Sequence, residues 1–517
     1  MVQFELILAL LLLGVILAGL ARRLKTPYPV LLALLGTGLA FAPQLPELEL
    51  DPDLILALFV APILLDAAYD ASLRDLKENW WPVTSLTLVA VTLTVVSVAW
   101  VARLLVPDMP WFAAIALGAI VAPPDASAAT AVLRHLRPPH RVVIILEGES
   151  LFNDASALLI FRLAVGFTGL QTLLHAAPLL ALGTIASALV GLFLGRIYLR
   201  FVSGISDIAT TILLQFLSVF LVWIGAERFH LSGIITVVCY SIAVAQLAPI
   251  ITPARVRIPS YAVWEVVVFT LNILVFILVG FQLKHFLHLL SAQEWSTYLK
   301  VGLTVCATAI LVRIAWVMSY NSIVRWKNWR YGVSLPRPMM RPTFQSGLII
   351  SWCGMRGIVT LAAALSLPQA NGSTQGFPYR DLIVFSAFCV VLGTLTIQGL
   401  TLRPLMLALA FKEDEAVAKE VRHAVQIITQ AALRALDDLP SSQEVTVIRR
   451  EYEMRVSDRK PSERQSGYRS DLTRIERLAI SAEREALVEL RKSGDIGDAA
   501  FHVLEERLDW AEVHVAR

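Results

Sequence analysis

Eight consecutive residues, Glu147-Gly148-Glu149-Ser150-Leu151-Phe152-Asn153-Asp154, bring three carboxylates, a hydroxyl and an amide into an otherwise apolar stretch over 142–167. Such a stretch is long enough to cross a bilayer as a helix. A carboxylate in hydrocarbon costs several kcal/mol, so an acid at that depth marks function by default. On a helix, Ser150 and Asp154 are four apart and share a face, and Glu149 and Asn153 form a neighbouring pair at the same spacing. A hydroxyl and a carboxylate are hard oxygen ligands, suited to an alkali cation. Desolvation favours the protonated form of a carboxyl and draws proton binding towards physiological pH. One group then holds a proton or a cation, never both, and that competition is the simplest physical basis for exchange.

Other charges lie at membrane depth. Asp66 falls within an apolar stretch over 53–70, Arg313 within 299–320 and Arg356 within 346–367. Unpaired charges there are costly, so Glu149 is expected to pair with Arg356, Arg313 or both, as a structural ion pair. Glu147 lies nearer the expected cytoplasmic mouth, where it would attract cations.

The elements that position these residues follow from composition. Of 517 residues, 56% are hydrophobic and only 16% charged, with a mean hydropathy of +0.67. Repeated apolar stretches of about twenty residues indicate an all-α polytopic membrane protein, with about thirteen spans. They run roughly over 4–20, 28–43, 53–70, 82–105, 112–133, 142–167, 174–198, 208–226, 231–249, 262–283, 299–320, 346–367 and 382–405. The first is not read as a cleavable signal, because Glu5 precedes it and Arg22, Arg23 and Lys25 follow it. With the N-terminus outside, most loop arginines and lysines fall on the cytoplasmic side, including Arg74, Arg134, Arg196, Arg255 and Arg325. Only Arg103, Arg228, Lys284, Lys300 and Arg380 fall outside. This positive-inside bias predicts a cytoplasmic C-terminus.

Two spans are broken at mid-depth, the fifth at Val121-Ala122-Pro123-Pro124-Asp125 and the twelfth at Ser351-Trp352-Cys353-Gly354-Met355-Arg356-Gly357. With the seventh span as a linker, the breaks occupy matching positions in two six-helix halves. That arrangement is the sequence pointer to inverted repeats around a mid-membrane site. Half-helix ends need an anion at their N-termini and a cation at their C-termini, and Asp125 and Arg356 are one of each. From residue 412 to 517 the chain turns charged, with 40 of the 85 acidic and basic residues. This divides it into a transmembrane domain over 1–411 and a helical cytoplasmic tail over 412–517, with helices expected over 415–436 and 471–492.

Cys239, Cys306, Cys353 and Cys389 stand singly in apolar segments, without metal-ligand or disulfide spacing. No cofactor is expected, and nothing in the charge pattern points to nucleic acid. Ser150 lacks the Gly-x-Ser-x-Gly elbow of a hydrolase, and no histidine or lysine in the spans is placed as its base.

The run GESLFNDASALLIF, the APPD break before it, LNILVFILVGFQL and WCGMRGIVTLAAALSLP together resemble bacterial sodium/proton exchangers of the NhaP type. These share a superfamily branch with the animal sodium/proton exchangers. The resemblance implies a homodimer in a bacterial inner membrane, with crossed, partly unwound fifth and twelfth helices. It implies that Asp154 carries cation and proton, with Ser150, Asp66 and Asn153 as further ion- or proton-binding residues, and that Glu149 forms the stabilising ion pair. Asn153 would stand for the second aspartate of charge-moving relatives and is associated with electroneutral one-for-one exchange. The break departs from the family's Pro-Thr-Asp-Pro. Pro124 replaces a threonine that offers oxygen to the ion, which leaves its backbone carbonyl, or Ser127, to serve. The expected activity is exchange of Na+, Li+ or K+ for protons in pH and sodium homeostasis, by alternating access and not by enzymatic chemistry. A potassium/proton antiporter or a passive cation channel on the same scaffold is the alternative.

Overall fold

The computed structural model describes residues 2–43, 52–71, 73–133, 138–166, 170–205, 207–251, 254–284, 286, 292–331, 343–369, 376–409 and 411. The described residues form helices and loops with no strand, as expected where hydrocarbon leaves each segment to satisfy its own backbone groups. The chain divides into two compact units, Met1–Asp414 and Glu415–Arg517. The second unit lies outside the described residues, and so do the tail helices expected within it.

The first unit opens with α1 (Val2–Leu24) and α2 (Tyr28–Ala40). Next, α3 (Pro52–Ile55) passes through a π-helical turn at Leu56–Val60 into α4 (Ala61–Asp70). After α5 (Leu73–Glu78), α6 (Trp80–Thr84) passes through a second π-helical turn, Ser85–Ala90, into α7 (Val91–Leu105). The broken fifth span is α8 (Trp111–Val121) and α9 (Ala126–Leu133), followed by α10 (His140–Val165). Then come α11 (Leu170–Val202), α12 (Ile208–Arg228), α13 (Gly233–Ile251), α14 (Ala254–Phe281) and α15 (Ala292–Tyr331). The broken twelfth span is α16 (Phe344–Trp352) and α17 (Ile358–Leu365), and α18 (Arg380–Leu409) closes the unit.

A helix stands at each stretch read as a span, but only seven segments are long and apolar enough to cross a bilayer whole. They are Phe4–Leu24, Trp80–Leu105, Pro178–Val202, Ile208–Arg228, Pro259–Phe281, Glu294–Tyr331 and Arg380–Leu409. The other expected spans differ for identifiable reasons. Some helices are short, such as α2, and others are interrupted by the breaks or a π turn. Long α10 carries Arg141, Glu147, Glu149, Asp154 and Arg162. The departures from a simple apolar rod fall largely on the helices that build the site.

Packing fixes where the site sits. In α18 every residue from Leu382 to Val391 is buried, as expected of a helix apolar all round. Helices α2 and α14 touch backbone to backbone at two glycines. A Cβ on Gly36 would collide with the Ile277 carbonyl, and one on Gly280 with the Ala33 carbonyl. Small residues permit such close approach in membranes. The π turn in α6–α7 also has a partner, because Ser156 Oγ of α10 donates to the Thr87 carbonyl at 2.9 Å.

Candidate functional site

The two broken helices meet at their breaks. Pro123 and Pro124 lack the N–H groups that would continue α8 into α9. The Asp125 N–H instead donates to the Met355 carbonyl in the opposite break, at 2.6 Å. Charges complement the helix ends as the macrodipole requires. Arg356 Nε donates to the carbonyl of Val121, the last residue of α8, at 3.0 Å, and its NH1 donates to the Gly354 carbonyl. The Arg356 N–H donates to Thr394 Oγ1 of α18 at 3.0 Å and ties the break to the central helix. Asp125 directly precedes α9, and its carboxylate lies so close to Gly357, the N-cap of α17, that a Cβ there would collide with Oδ2. One anion thus serves two helix N-termini, and Gly357 is glycine because no side chain fits.

Helix α10 passes this crossing with two chemically different faces. On its packed face Glu149 is 1% exposed and forms a two-pronged ion pair with Arg313 of α15, which is 3% exposed. The Oε2 arm measures 2.8 Å. Arg313 NH2 also donates to the Ile350 and Cys353 carbonyls, at 3.0 and 3.2 Å. The same cation therefore neutralises Glu149 and satisfies carbonyls at the C-terminal end of α16. One turn further along α10, fully buried Asn153 donates from Nδ2 to the Pro124 carbonyl at 2.8 Å. Its Oδ1 is buried with no donor among the described residues.

The other face of α10 turns Glu147, Ser150, Leu151 and Asp154 into a cavity of about 1160 Å3. Asp66 of α4 and Pro123, Pro124 and Asp125 of the first break line the same cavity. So do Asn272 and Glu265 of α14 and Gly357 and Thr360 of the second break. The cavity extends to the exposed Arg22 and Lys25 at the end of α1. Asp154 is 7% exposed, so its carboxyl borders the cavity from a nearly closed position. No cluster of three or more histidine, cysteine or acidic side chains suited to a metal ion occurs among the described residues. The available ligand set is therefore a few scattered hard oxygens: carboxylates, a hydroxyl and a carbonyl. These bind alkali cations and protons weakly and reversibly.

Asp154, Ser150, Asp66, Pro124, Asp125 and Glu147, all singled out in the sequence, line this one cavity. Two expectations need correction. Asn153, expected among the ion ligands, does not line the cavity. Its side chain instead donates to the carbonyl of Pro124 in the first break. Of the two arginines offered to Glu149, Arg313 makes the ion pair, whereas Arg356 bonds carbonyls of the crossing. Arg356 is thus no member of that pair, because the α8 C-terminus occupies its guanidinium. The side chain of Ser127 lies outside the described residues. Sequence reasoning missed Asn272 and Thr360, which are 6% and 1% exposed on the cavity wall. A lone asparagine in the apolar run Leu271–Leu283 was the available signal.

Residues 7–408 match the family described as sodium/hydrogen exchanger, transmembrane. An uncharacterized Na+/H+ exchanger of Mycobacterium tuberculosis is 29% identical, over 99% of this chain and 96% of its own. A sodium, potassium, lithium and rubidium/H+ antiporter of Bacillus subtilis is 29% identical, over 94% of this chain and 74% of its own. The fold is similar to that of the sodium proton antiporter MjNhaP1 from Methanocaldococcus jannaschii. That likeness has a TM-score of 0.60 at 20% identity and covers 79% of this chain and 99% of the other. A buried acid beside two crossed, charge-compensated helix breaks is thus found in a chain that matches one family along its whole membrane unit: the protein belongs to the sodium/hydrogen exchangers.

Proposed function

We propose that the protein exchanges a monovalent cation, sodium in the first instance, for a proton at Asp154, electroneutrally and one for one. The observation that carries this reading is the nearly buried Asp154 carboxyl on the wall of a cavity that Ser150, Asp66 and the Pro124 break also line. Ser150 Oγ, the Asp66 carboxylate and the Pro124 carbonyl complete the ion's oxygen shell. That carbonyl accepts from Asn153 and keeps a second lone pair. Asn153 is neutral, so Asp154 is the one group on its turn of α10 that changes charge, and stoichiometry follows from one carboxyl. The printed name of the Bacillus relative makes potassium, lithium and rubidium worth testing beside sodium.

The cycle is alternating access over thirteen spans arranged as two inverted six-helix repeats. With the N-terminus outside, the cavity reaching Arg22 and Lys25 faces the cytoplasm of a bacterial inner membrane. An empty, ionised Asp154 is costly to carry through a closed barrier. The site therefore changes sides only when loaded with a cation or a proton, and exchange is obligate. A homodimer anchors the moving part, which site-directed cross-linking of membranes would test.

The deciding experiment is dissipation of a pH gradient in proteoliposomes on addition of sodium, lithium, potassium or rubidium. A response to at least one ion, with no net current, is expected. No response to any of the four ends the proposal. Flux far above carrier rates without need of a proton gradient would establish the channel alternative instead.

A further inference from the structure

The wall of the cation cavity comes from two sets of helices. The α1–α2 joint, α4 and α14 supply one side, and the two breaks, α10 and Arg403 of α18 supply the other. Each set is bound within itself. Helix α2 is locked to α14 by the contacts at Gly36 and Gly280, and by Lys284 Nζ, which donates to the Ala42 carbonyl at 2.8 Å. Helix α18 is bonded to the second broken span on either side of Gln398. Thr394 Oγ1 accepts from the Arg356 N–H at 3.0 Å, and Thr401 Oγ1 accepts from Trp352 Nε1 at 2.9 Å.

The two sets touch where α18 rests on the start of α2 through a glycine. A Cβ on Gly399 would collide with Val30 Cγ2 and lie 4.0 Å from Pro27 Cγ. Two polar side chains flank this apolar seam, each the chain neighbour of a contact residue. Gln398 is fully buried, and neither its Oε1 nor its Nε2 has a hydrogen-bond partner among the described residues. Thr26 Oγ1 is also buried without a partner among them, although the Thr26 N–H donates to the Ala21 carbonyl at 3.0 Å. A buried amide left unbonded is rare in native structures and raises the free energy of the state that contains it. The amide offers a donor and an acceptor, and the hydroxyl can serve as either. The two groups are therefore complementary, stand on opposite sides of the seam and are not bonded to each other.

We propose that Gln398 and Thr26 form a polar latch that closes in the opposite-facing state of the transport cycle. The inference rests on the alternating access proposed above. Shutting the cavity moves the helices that carry the breaks against those packed with α2, and the seam at Gly399 is where the two sets slide. A bond between amide and hydroxyl then stabilises the opposite-facing state alone and sets its population against the state seen here. Gln398 does not line the cavity, so it is a positioning residue and leaves the transported ion untouched.

The test uses the full-length protein and near-isosteric apolar variants, Gln398→Met, Thr26→Val and the two together, in everted and right-side-out vesicles. Loss of the latch favours the state seen here, so the apparent sodium KM should fall from the cytoplasmic side and rise from the external side. The ratio of the two should move by about fivefold or more, the weight of one buried hydrogen-bonding group. The double variant should move it no further than Gln398→Met alone, because both changes break one bond. The unfolding midpoint of Gln398→Met should equal or exceed that of wild type, because no bond is lost in this state. An unchanged KM ratio in either single variant, or shifts that add in the double variant, overturns the latch while wild-type exchange leaves the transport reading intact. A Gln398→Met protein that unfolds earlier or fails to fold also overturns it, since the amide would then be bonded in the present state. Wild-type vesicles that exchange no cation in either orientation would overturn the transport reading, and the latch with it.

Discussion

Removing Glu149 and Arg313 singly and together gives a result that only a directly bonded, buried pair produces. Arg313 makes two bonds to Glu149 and two to the carbonyls of Ile350 and Cys353, all out of reach of solvent. Glu149→Gln keeps the shape but strands a buried guanidinium, a loss of about 3–5 kcal/mol. Arg313→Gln strands the carboxylate at a similar cost and also takes donors from the two carbonyls, about 1 kcal/mol each. In the double variant neither charge of the pair is left without its partner. Its loss should fall to the carbonyl contribution, about 1–3 kcal/mol. The coupling energy therefore exceeds about 3 kcal/mol, against the few tenths expected of independent sites. Equilibrium unfolding of the four proteins in mixed micelles measures it. Losses that add to within about 0.5 kcal/mol would refute the pairing.

Four further outcomes follow from the site. Asp154→Asn should abolish cation-dependent dissipation of a pH gradient in everted vesicles while the protein elutes and unfolds like wild type; residual exchange would remove Asp154 as carrier. If one carboxyl binds either a proton or sodium, the apparent sodium KM rises about tenfold for each pH unit below that carboxyl's own pKa. A sodium KM that stays flat across the acidic range contradicts the shared site. Gly357→Ala drives a methyl group into the Asp125 carboxylate and should lose at least tenfold in exchange rate, whereas Gly38→Ala, with open space around it, should lose nothing. Asn153→Ala removes the donor to the Pro124 carbonyl and should destabilise by about 1–3 kcal/mol; transport with an unchanged sodium KM would show that this carbonyl is not a ligand.

The site was legible in the sequence to the extent that its physics is local. The depth of Asp154, the common face of Asp154 and Ser150, and the breaks at Pro124 and Gly354 follow from helical spacing and hydrocarbon cost alone. Partner choice is not local. Arg313 and Arg356 are both buried cations at similar depth, and only packing decides which one meets Glu149. Asn153 lies next to Asp154 in sequence, so it reads as a ligand, although its side chain leaves α10 towards the carbonyl of Pro124. The π turns at Leu56–Val60 and Ser85–Ala90 have no composition of their own, because one extra residue per turn is a property of the fold.

The crossing carries its own charge compensation. Unwinding two helices at mid-membrane exposes four half-helix ends, which need charge compensation. Here each end has a resident partner among the described residues. Arg356 serves the C-terminus of α8 and Arg313 that of α16, while Asp125 lies at the N-termini of α9 and α17. The local charges sum to two cations against Asp125 and Glu149, which is neutral before any ion arrives. The framework therefore does not depend on cargo for its stability, and binding energy at Asp154 is not absorbed in holding the breaks together. Loss of Arg356 should accordingly weaken the empty and loaded proteins alike. Loss of Asp154 should leave the crossing intact and remove only the response of stability to sodium. An Arg356→Gln protein that regains wild-type stability in saturating sodium would show instead that the cargo helps to hold the crossing.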